Sequence, residues 1–277
     1  MEINKADKYY IENLNKIKYC GFSDENPRPK YKDGTSAHSN FITGVYESYD
    51  LSKDEFPITT LRNTAIKTGI NEILWIYQKQ SNSLILAREM GINWWNEWEV
   101  SNNNIGQRYG ATIKKYDLMN NLLKSLKDDP FSRRHIIDMY QYSDLHETKG
   151  LFPCAFMTMW SVRRVDGDYY LDVTLIQRSN DYIMAGYINK IQYVALQLMV
   201  AGHLGYKVGL FNHLTQNLHI YDRHFSAVDE ILNRTSLDIK PTLRLKTNKN
   251  FYDYCVDDFL IYHMDIPKLS SPLEIAI

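Results

Sequence analysis

Residues 154–178 read CAFMTMWSVRRVDGDYYLDVTLIQR, two long apolar-rich runs around an Asp166-Gly167 pair. Asp-Gly suits the positive φ angles of a tight hairpin turn, and the flanks carry β-branched and aromatic side chains. The chain must therefore build its fold around one long antiparallel strand pair. Helical spacing is clear elsewhere. Tyr10, Leu14 and Ile17 share a face over 4–20, with Gly21 as a stop. Ile66, Ile70, Ile73, Leu74 and Tyr77 do so over 63–79. Further helices are expected at 119–128 and 189–204. Strands are expected at 39–49, at 135–142, near 208–214 and in TLRLKT. Residues 26–38 read as a loop carrying Arg28, and HIYDRH is expected to open another helix that runs to about 233. Helices and hairpins mix without strict βαβ alternation. That predicts an α+β fold: a single domain over 1–277, with a mixed β-sheet flanked by helices.

Bulk properties narrow the function classes. A chain of 277 residues, 44% hydrophobic, can bury a large core. Its net charge of −1 supplies no global field for nucleic acid or an anionic membrane. An anionic ligand must then be held by local arginines. The first twenty residues are charged throughout and lack an apolar signal core. The longest apolar run, 188–204, is interrupted by Asn189, Lys190, Gln192, Gln197 and His203, so it reads as a buried helix. Cys20, Cys154 and Cys255 form no close pair, which fits a reducing compartment and argues against disulfides or a cysteine-based zinc site. A cytoplasmic protein without a bound metal is the expectation.

Several residues suit chemistry. Taken alone, Cys154 in its apolar segment is a small core residue, but Arg178 ends the partner strand of the same hairpin. A cation there would stabilise a thiolate. Arg28, the pair Arg133 and Arg134, and Arg178 followed by Ser179 carry the planar forks that suit phosphate oxygens. Each alone also reads as solvated loop charge. Glu72 lies inside an apolar helix, either at its edge or buried with partners. His219, Tyr221 and His224 assemble no zinc set. Trp94, Trp95 and Trp98 are core or a stacking surface for a flat ring.

Taken together, FPC at 152–154, QRSND at 177–181, Asn189, HIY at 219–221 and SRRH at 132–135 resemble thymidylate synthase in order and spacing. NEILW at 71–75, WWNEW at 94–98 and the terminal IAI are similar to its folate-side segments and closing tail. The resemblance implies reductive methylation of dUMP to dTMP with 5,10-methylenetetrahydrofolate as co-substrate, through addition of Cys154 to C6. It implies that Arg28, Arg178 and Ser179 hold the phosphate, and that Arg133 and Arg134 reach it from the other subunit of a homodimer whose sheets pack together. Asn189 would pair with the uracil edge, since an amide offers both donor and acceptor. His219 and Tyr221 would bind the 3′-hydroxyl. Asp181 would bind the pterin, with Trp95, Leu151, Ala185 and Ile277 around the folate. Glu72 would organise water for proton transfer, and Tyr109 would sit beside the nucleophile and help eliminate the folate.

The chain departs from the family pattern at Ala155 (usually His), at Ala185-Gly186-Tyr187-Ile188 (usually Gly-x-Pro-Phe) and at Gln216-Asn217 (usually Gly-Asp). Leu61 and Thr64 replace a common Lys and His. Two further readings therefore stay open: a dUMP hydroxymethylase, and a degenerate homologue that binds a nucleotide or RNA without turnover.

Overall fold

The computed structural model describes residues 4–147, 149–262 and 265–277. Strands β1 (Phe22–Ser23), β2 (Ser39–Asp50), β3 (Ile136–Asp138), β4 (Ala155–Val165), β5 (Asp168–Asp181) and β6 (Lys207–Tyr221) form one sheet in the order β1-β2-β6-β5-β4-β3. A separate ribbon pairs β7 (Thr242–Leu245) with β8 (Phe259–Tyr262). The expected hairpin is present. Val165 pairs with Asp168, and Asp166 and Gly167 take φ of 49° and 91°.

The helices are α1 (Lys5–Cys20), α2 (Ile66–Ile73), α3 (Leu84–Glu89), α4 (Gly110–Lys115), α5 (Leu118–Asp128), α6 (Tyr142–Glu147), α7 (Gly186–Leu204) and α8 (Phe225–Leu232). The β5 and β6 strands are parallel and α7 carries the crossover between them, so one βαβ unit sits inside an otherwise antiparallel sheet. Helix α7 is buried nearly all round, including Lys190, Gln192 and Gln197. Gln197 donates to Leu171 O and Leu210 O at 2.8 and 3.1 Å, beside the register shift between Leu171 and Val173. Among the described residues no helix is long and apolar enough to cross a membrane.

Four boundaries differ from the sequence reading. Helix α2 begins at Ile66 and passes into a π turn over Leu74–Gln78, which re-phases the side chains behind Glu72. Strand β3 covers Ile136–Asp138 only. Helix α7 begins at Gly186, so Asn189 lies within its first turn instead of opening it. A Cβ at Gly186 would meet Tyr182 Cδ2 at 2.7 Å, so this close approach of ring to helix start requires glycine. Strand β6 runs on to Tyr221, so His219 and Tyr221 close a strand and do not open a helix. Pairing on both edges, Asp181 with His219 and Ser39 with Tyr221, carries β6 further than its apolar alternation suggests.

The outer sheet face, opposite α7, carries Tyr46, Leu214 and Ile176, which lie across from one another on neighbouring strands, with Met159 and Ile136 further along. Tyr46, Ile136, Met159 and Leu214 are exposed in the single chain.

Candidate active site

The hairpin's open end brings Cys154 and Arg178 together. Arg178 N donates to Cys154 O at 2.9 Å, and the register between Ala155 and Met157 shifts just beyond. The Arg178 guanidinium donates to Pro153 O at 3.0 Å, to Phe152 O at 2.7 Å and to Cys154 Sγ at 3.4 Å. Two backbone carbonyls therefore aim a fixed cation at the thiol. Burial pushes the Cys154 pKa up, while the charges of Arg178 and Arg28 pull it back.

Tyr109 lies on the other side of the cysteine. Its hydroxyl accepts from Cys154 N at 3.1 Å and its ring packs edge-on against Trp95 at 5.1 Å. It stands before α4 with φ 47° and ψ −110°, a strained conformation for a bulky residue. Burial holds its phenol well above the ordinary range, so it is a neutral hydroxyl.

Glu72 is buried with partners, which settles the two readings of its helix position. Trp94 Nε1 and Trp95 Nε1 donate to its carboxylate oxygens at 2.5 and 3.0 Å. Burial raises its pKa to about 7, against the pull of these indoles and the nearby Gln192 amide. A carboxyl group poised there exchanges protons in either direction near neutral pH.

Asn189 is held by two glutamines. Gln177 Nε2 donates to Ser179 O and to Asn189 Oδ1, both at 3.0 Å. A backbone carbonyl only accepts, so the Gln177 amide has one possible orientation, and its oxygen meets Asn180 Nδ2 and His213 Nε2 at 3.1 and 2.9 Å. Asn189 must then turn its oxygen to Gln177 and its Nδ2 to Gln192 Oε1, at 3.0 Å. Among the described residues, one lone pair and one amide hydrogen of Asn189 stay free. Next to it, the fully buried Lys190 pairs with Glu47 at 2.8 Å and lies over the Tyr187 ring.

The ends of β5 and β6 place Asp181, His219 and Tyr221 side by side. Asp181 Oδ1 accepts from Met184 N at 3.0 Å, and His219 Nδ1 contacts Asn217 Oδ1 at the same distance. A cavity of about 700 Å³ is lined by Arg28, Trp98, Leu151, Phe152, Arg178 and Ile277, among others. Arg178 thus joins the cavity to the thiol. The C-terminal residue is paired in place, with Lys30 N donating to Ile277 O at 2.7 Å and Ile277 N to Lys30 O at 2.9 Å. Arg223 bridges Asp33 and Glu274, tying the tail to the loop that carries Arg28.

Within one chain the fold gathers Cys154, Arg178, Tyr109, Glu72 and Asn189, and separately Arg28, Leu151 and Ile277 around the cavity. Arg133 and Arg134 are exposed ahead of β3 and do not line the cavity. Trp95 is 7% exposed and spends its N–H on Glu72, while Trp98 lines the cavity. Ala185 has φ −113°, so this position makes no demand for glycine. The sequence reading did not find Gln177 or Lys190 as parts of the site, nor Gln192. The local signals were Gln177 at the head of QRSND, the polar Lys190 and Gln192 inside an apolar run, and the spacing of Gln192 three residues after Asn189, that of helix neighbours.

Comparison with known proteins places the chain in a family. A family model described as thymidylate synthase matches residues 8–272. The thymidylate synthases of Streptococcus pneumoniae (strain 70585) and Streptococcus gordonii (strain Challis) are each 50% identical over 279 aligned positions, covering 99% of this chain and 100% of theirs. The solved structure of thermostable thymidylate synthase A from Bacillus subtilis superposes with a TM-score of 0.89 at 31% identity, covering 98% of this chain and 99% of that one.

Proposed function

The chain belongs to the thymidylate synthase family, and on that premise we propose that it methylates dUMP reductively to dTMP with 5,10-methylenetetrahydrofolate. The observation that carries this reading is the guanidinium of Arg178, which touches the Cys154 thiol and lines the large cavity with Arg28. A ligand with both an anion and an electrophilic ring carbon answers that pairing.

The Cys154 thiolate adds to C6 of the uracil. The new S–C bond forms as the C5=C6 pair moves to C5 and O4, which makes C5 a nucleophile. Arg178 and Arg28, with Ser179, hold the phosphate, and the same Arg178 charge stabilises the thiolate. Asn189 offers its free lone pair to N3–H and its free amide hydrogen to O4. His219 and Tyr221, at the end of β6, take the 3′-hydroxyl. Glu72 exchanges protons through water at O4 and C5, and the neutral Tyr109 hydroxyl holds a proton beside the cysteine during elimination.

A folate fits the cavity. Its volume is that of a drug-sized site, and its walls combine Trp98, Leu151, Phe152 and Ile277 with cationic groups. When bound, methylenetetrahydrofolate supplies the one-carbon unit and the hydride. Asp181 holds the pterin, Trp95 backs it through the aromatic cluster, and Ala185, Leu151 and Ile277 exclude water. Residues 1–277 act as a single catalytic domain. Two copies pair through the outer sheet face, where Tyr46 and Leu214 are exposed, and Arg133 and Arg134 reach the partner's phosphate site.

Incubation of purified protein with dUMP and methylenetetrahydrofolate tests the reading, with both products identified by mass. The expected products are dTMP and dihydrofolate. Hydroxymethyl-dUMP with tetrahydrofolate would overturn the reductive step, and absence of any product would overturn the reading as a whole.

A further inference from the structure

Gln192 stands between two groups with different tasks. Its Oε1 accepts from Asn189 Nδ2 at 3.0 Å, so its Nε2 must point the other way, toward Glu72. Among the described residues that Nε2 closes no well-formed hydrogen bond, although Gln192 is 3% exposed and its amide lies near enough to Glu72 to favour the charged carboxylate. A buried donor left unmade is costly and marks a place where a partner is expected. The partner on offer is the Glu72 carboxylate or an oxygen held against it.

The side chain has little freedom to serve another purpose. A Cβ at Gly69 on α2 would meet Gln192 Cγ at 3.4 Å, so the stem is in close contact with that helix backbone. The orientation of its amide is inherited. It runs from the Ser179 carbonyl through Gln177 and Asn189 to Gln192, each amide turning the next. The last member of that chain presents a donor to Glu72, the group whose charge it favours.

We propose that Gln192 is a positioning residue that ties Glu72 to Asn189, so that the base-reading amide and the proton-handling carboxyl face the same edge of the pyrimidine. This rests on the roles proposed above for Asn189 and Glu72. Its two arms act separately. The oxygen arm fixes the free hydrogen of Asn189 toward the base. The nitrogen arm holds Glu72, or the water that Glu72 organises, and favours the ionised carboxylate. The other groups facing Glu72 are the indoles of Trp94 and Trp95 and the phenols of Tyr109 and Tyr193; burial keeps both phenols neutral.

Two variants separate the arms. Gln192→Met removes both at similar volume. It should raise the KM for dUMP roughly tenfold and move the pH–rate limb near 7 to higher pH, with the thermal midpoint close to wild type. Gln192→Glu keeps an acceptor for Asn189 but replaces the donor facing Glu72. It should leave the dUMP KM within about threefold of wild type and move the same limb upward at least as far. Limbs unmoved in both variants, or equal losses of KM and kcat with a lowered thermal midpoint, would reduce Gln192 to packing and overturn the proposal. The wild-type control separates the two levels. Failure to convert dUMP would overturn the assigned function and this inference together, whereas an active wild type with unmoved variants overturns this inference alone.

Discussion

Arg178 donates to Cys154 Sγ at 3.4 Å while two of its other N–H contacts, at 3.0 and 2.7 Å, go to the carbonyls of Pro153 and Phe152. The guanidinium is held by the backbone of the segment that carries the thiol. The cation and the cysteine are therefore anchored to one and the same segment.

Removing that cation should make the thiol less acidic. Burial already pushes the Cys154 pKa up and Arg178 opposes it, so Arg178→Ala should raise it further. Each unit costs about tenfold in thiolate fraction at fixed pH. In a Cys20→Ser/Cys255→Ser background, the pH midpoint of Cys154 alkylation should move upward, and kcat/KM at pH 7 should fall by roughly tenfold or more. An unmoved alkylation profile would count against the electrostatic role.

Glu72 should leave a mark on stability as well as rate. Its folded pKa of about 7 lies above the unfolded value of 4.5. The neutral carboxyl is thus favoured in the fold. Its contribution is fully present below pH 4.5 and is lost as pH rises through 7. The interval corresponds to about 3 kcal/mol. Relative to Glu72→Gln, the wild type should lose about that much between mildly acidic and mildly alkaline urea titrations. The same substitution should lower kcat by roughly a hundredfold or more and abolish the limb near 7.

The Lys190–Glu47 pair should be sensitive to single but not paired replacement. Both groups are almost wholly buried, and Glu47 also accepts from Tyr49, Tyr182 and Asn13. Glu47→Leu strands a buried ammonium and should cost about 3–5 kcal/mol in denaturant unfolding. Lys190→Met combined with Glu47→Leu should recover most of that loss. Equal destabilisation by the single and the double variant would refute an unpaired charge as the cause.

Asn189→Asp should shift base preference toward dCMP. A carboxyl replaces the amide hydrogen meant for O4 with an oxygen that suits the cytosine N4 donor. The dUMP:dCMP ratio of kcat/KM should fall by at least roughly tenfold. An unchanged ratio would remove Asn189 from base reading.

Arg133 and Arg134 stay exposed and away from the cavity of their own chain. Mixed dimers of Cys154→Ala and Arg133→Glu subunits should therefore recover activity that neither parent shows. One of the two sites in each mixed dimer would carry an intact cysteine and an intact partner arginine. Absence of complementation would place both groups of a site in one chain.

Much of this was legible in the chain. The Asp166-Gly167 turn is local, so the hairpin and the approach of Arg178 to Cys154 followed from pairing two adjacent strands. The motifs in their order and spacing pointed to the family, and the family model and relatives bear that out. What stayed hidden is non-local. Lys190 meets Glu47 across 143 positions, and Asn13 reaches Tyr182 across 169. Alternation along β6 stopped short of His219 because its last residues are held by two neighbouring strands, not by their own pattern. The orientation of an amide is set by its partners, and a sequence carries no sign of which end turns where. The residues themselves determined a cysteine beside an arginine on a hairpin. Only the packing of α2, α7 and the sheet decided that Gln177, Asn189 and Gln192 join in one chain of hydrogen bonds beside Glu72, because each of these amides meets a buried neighbour.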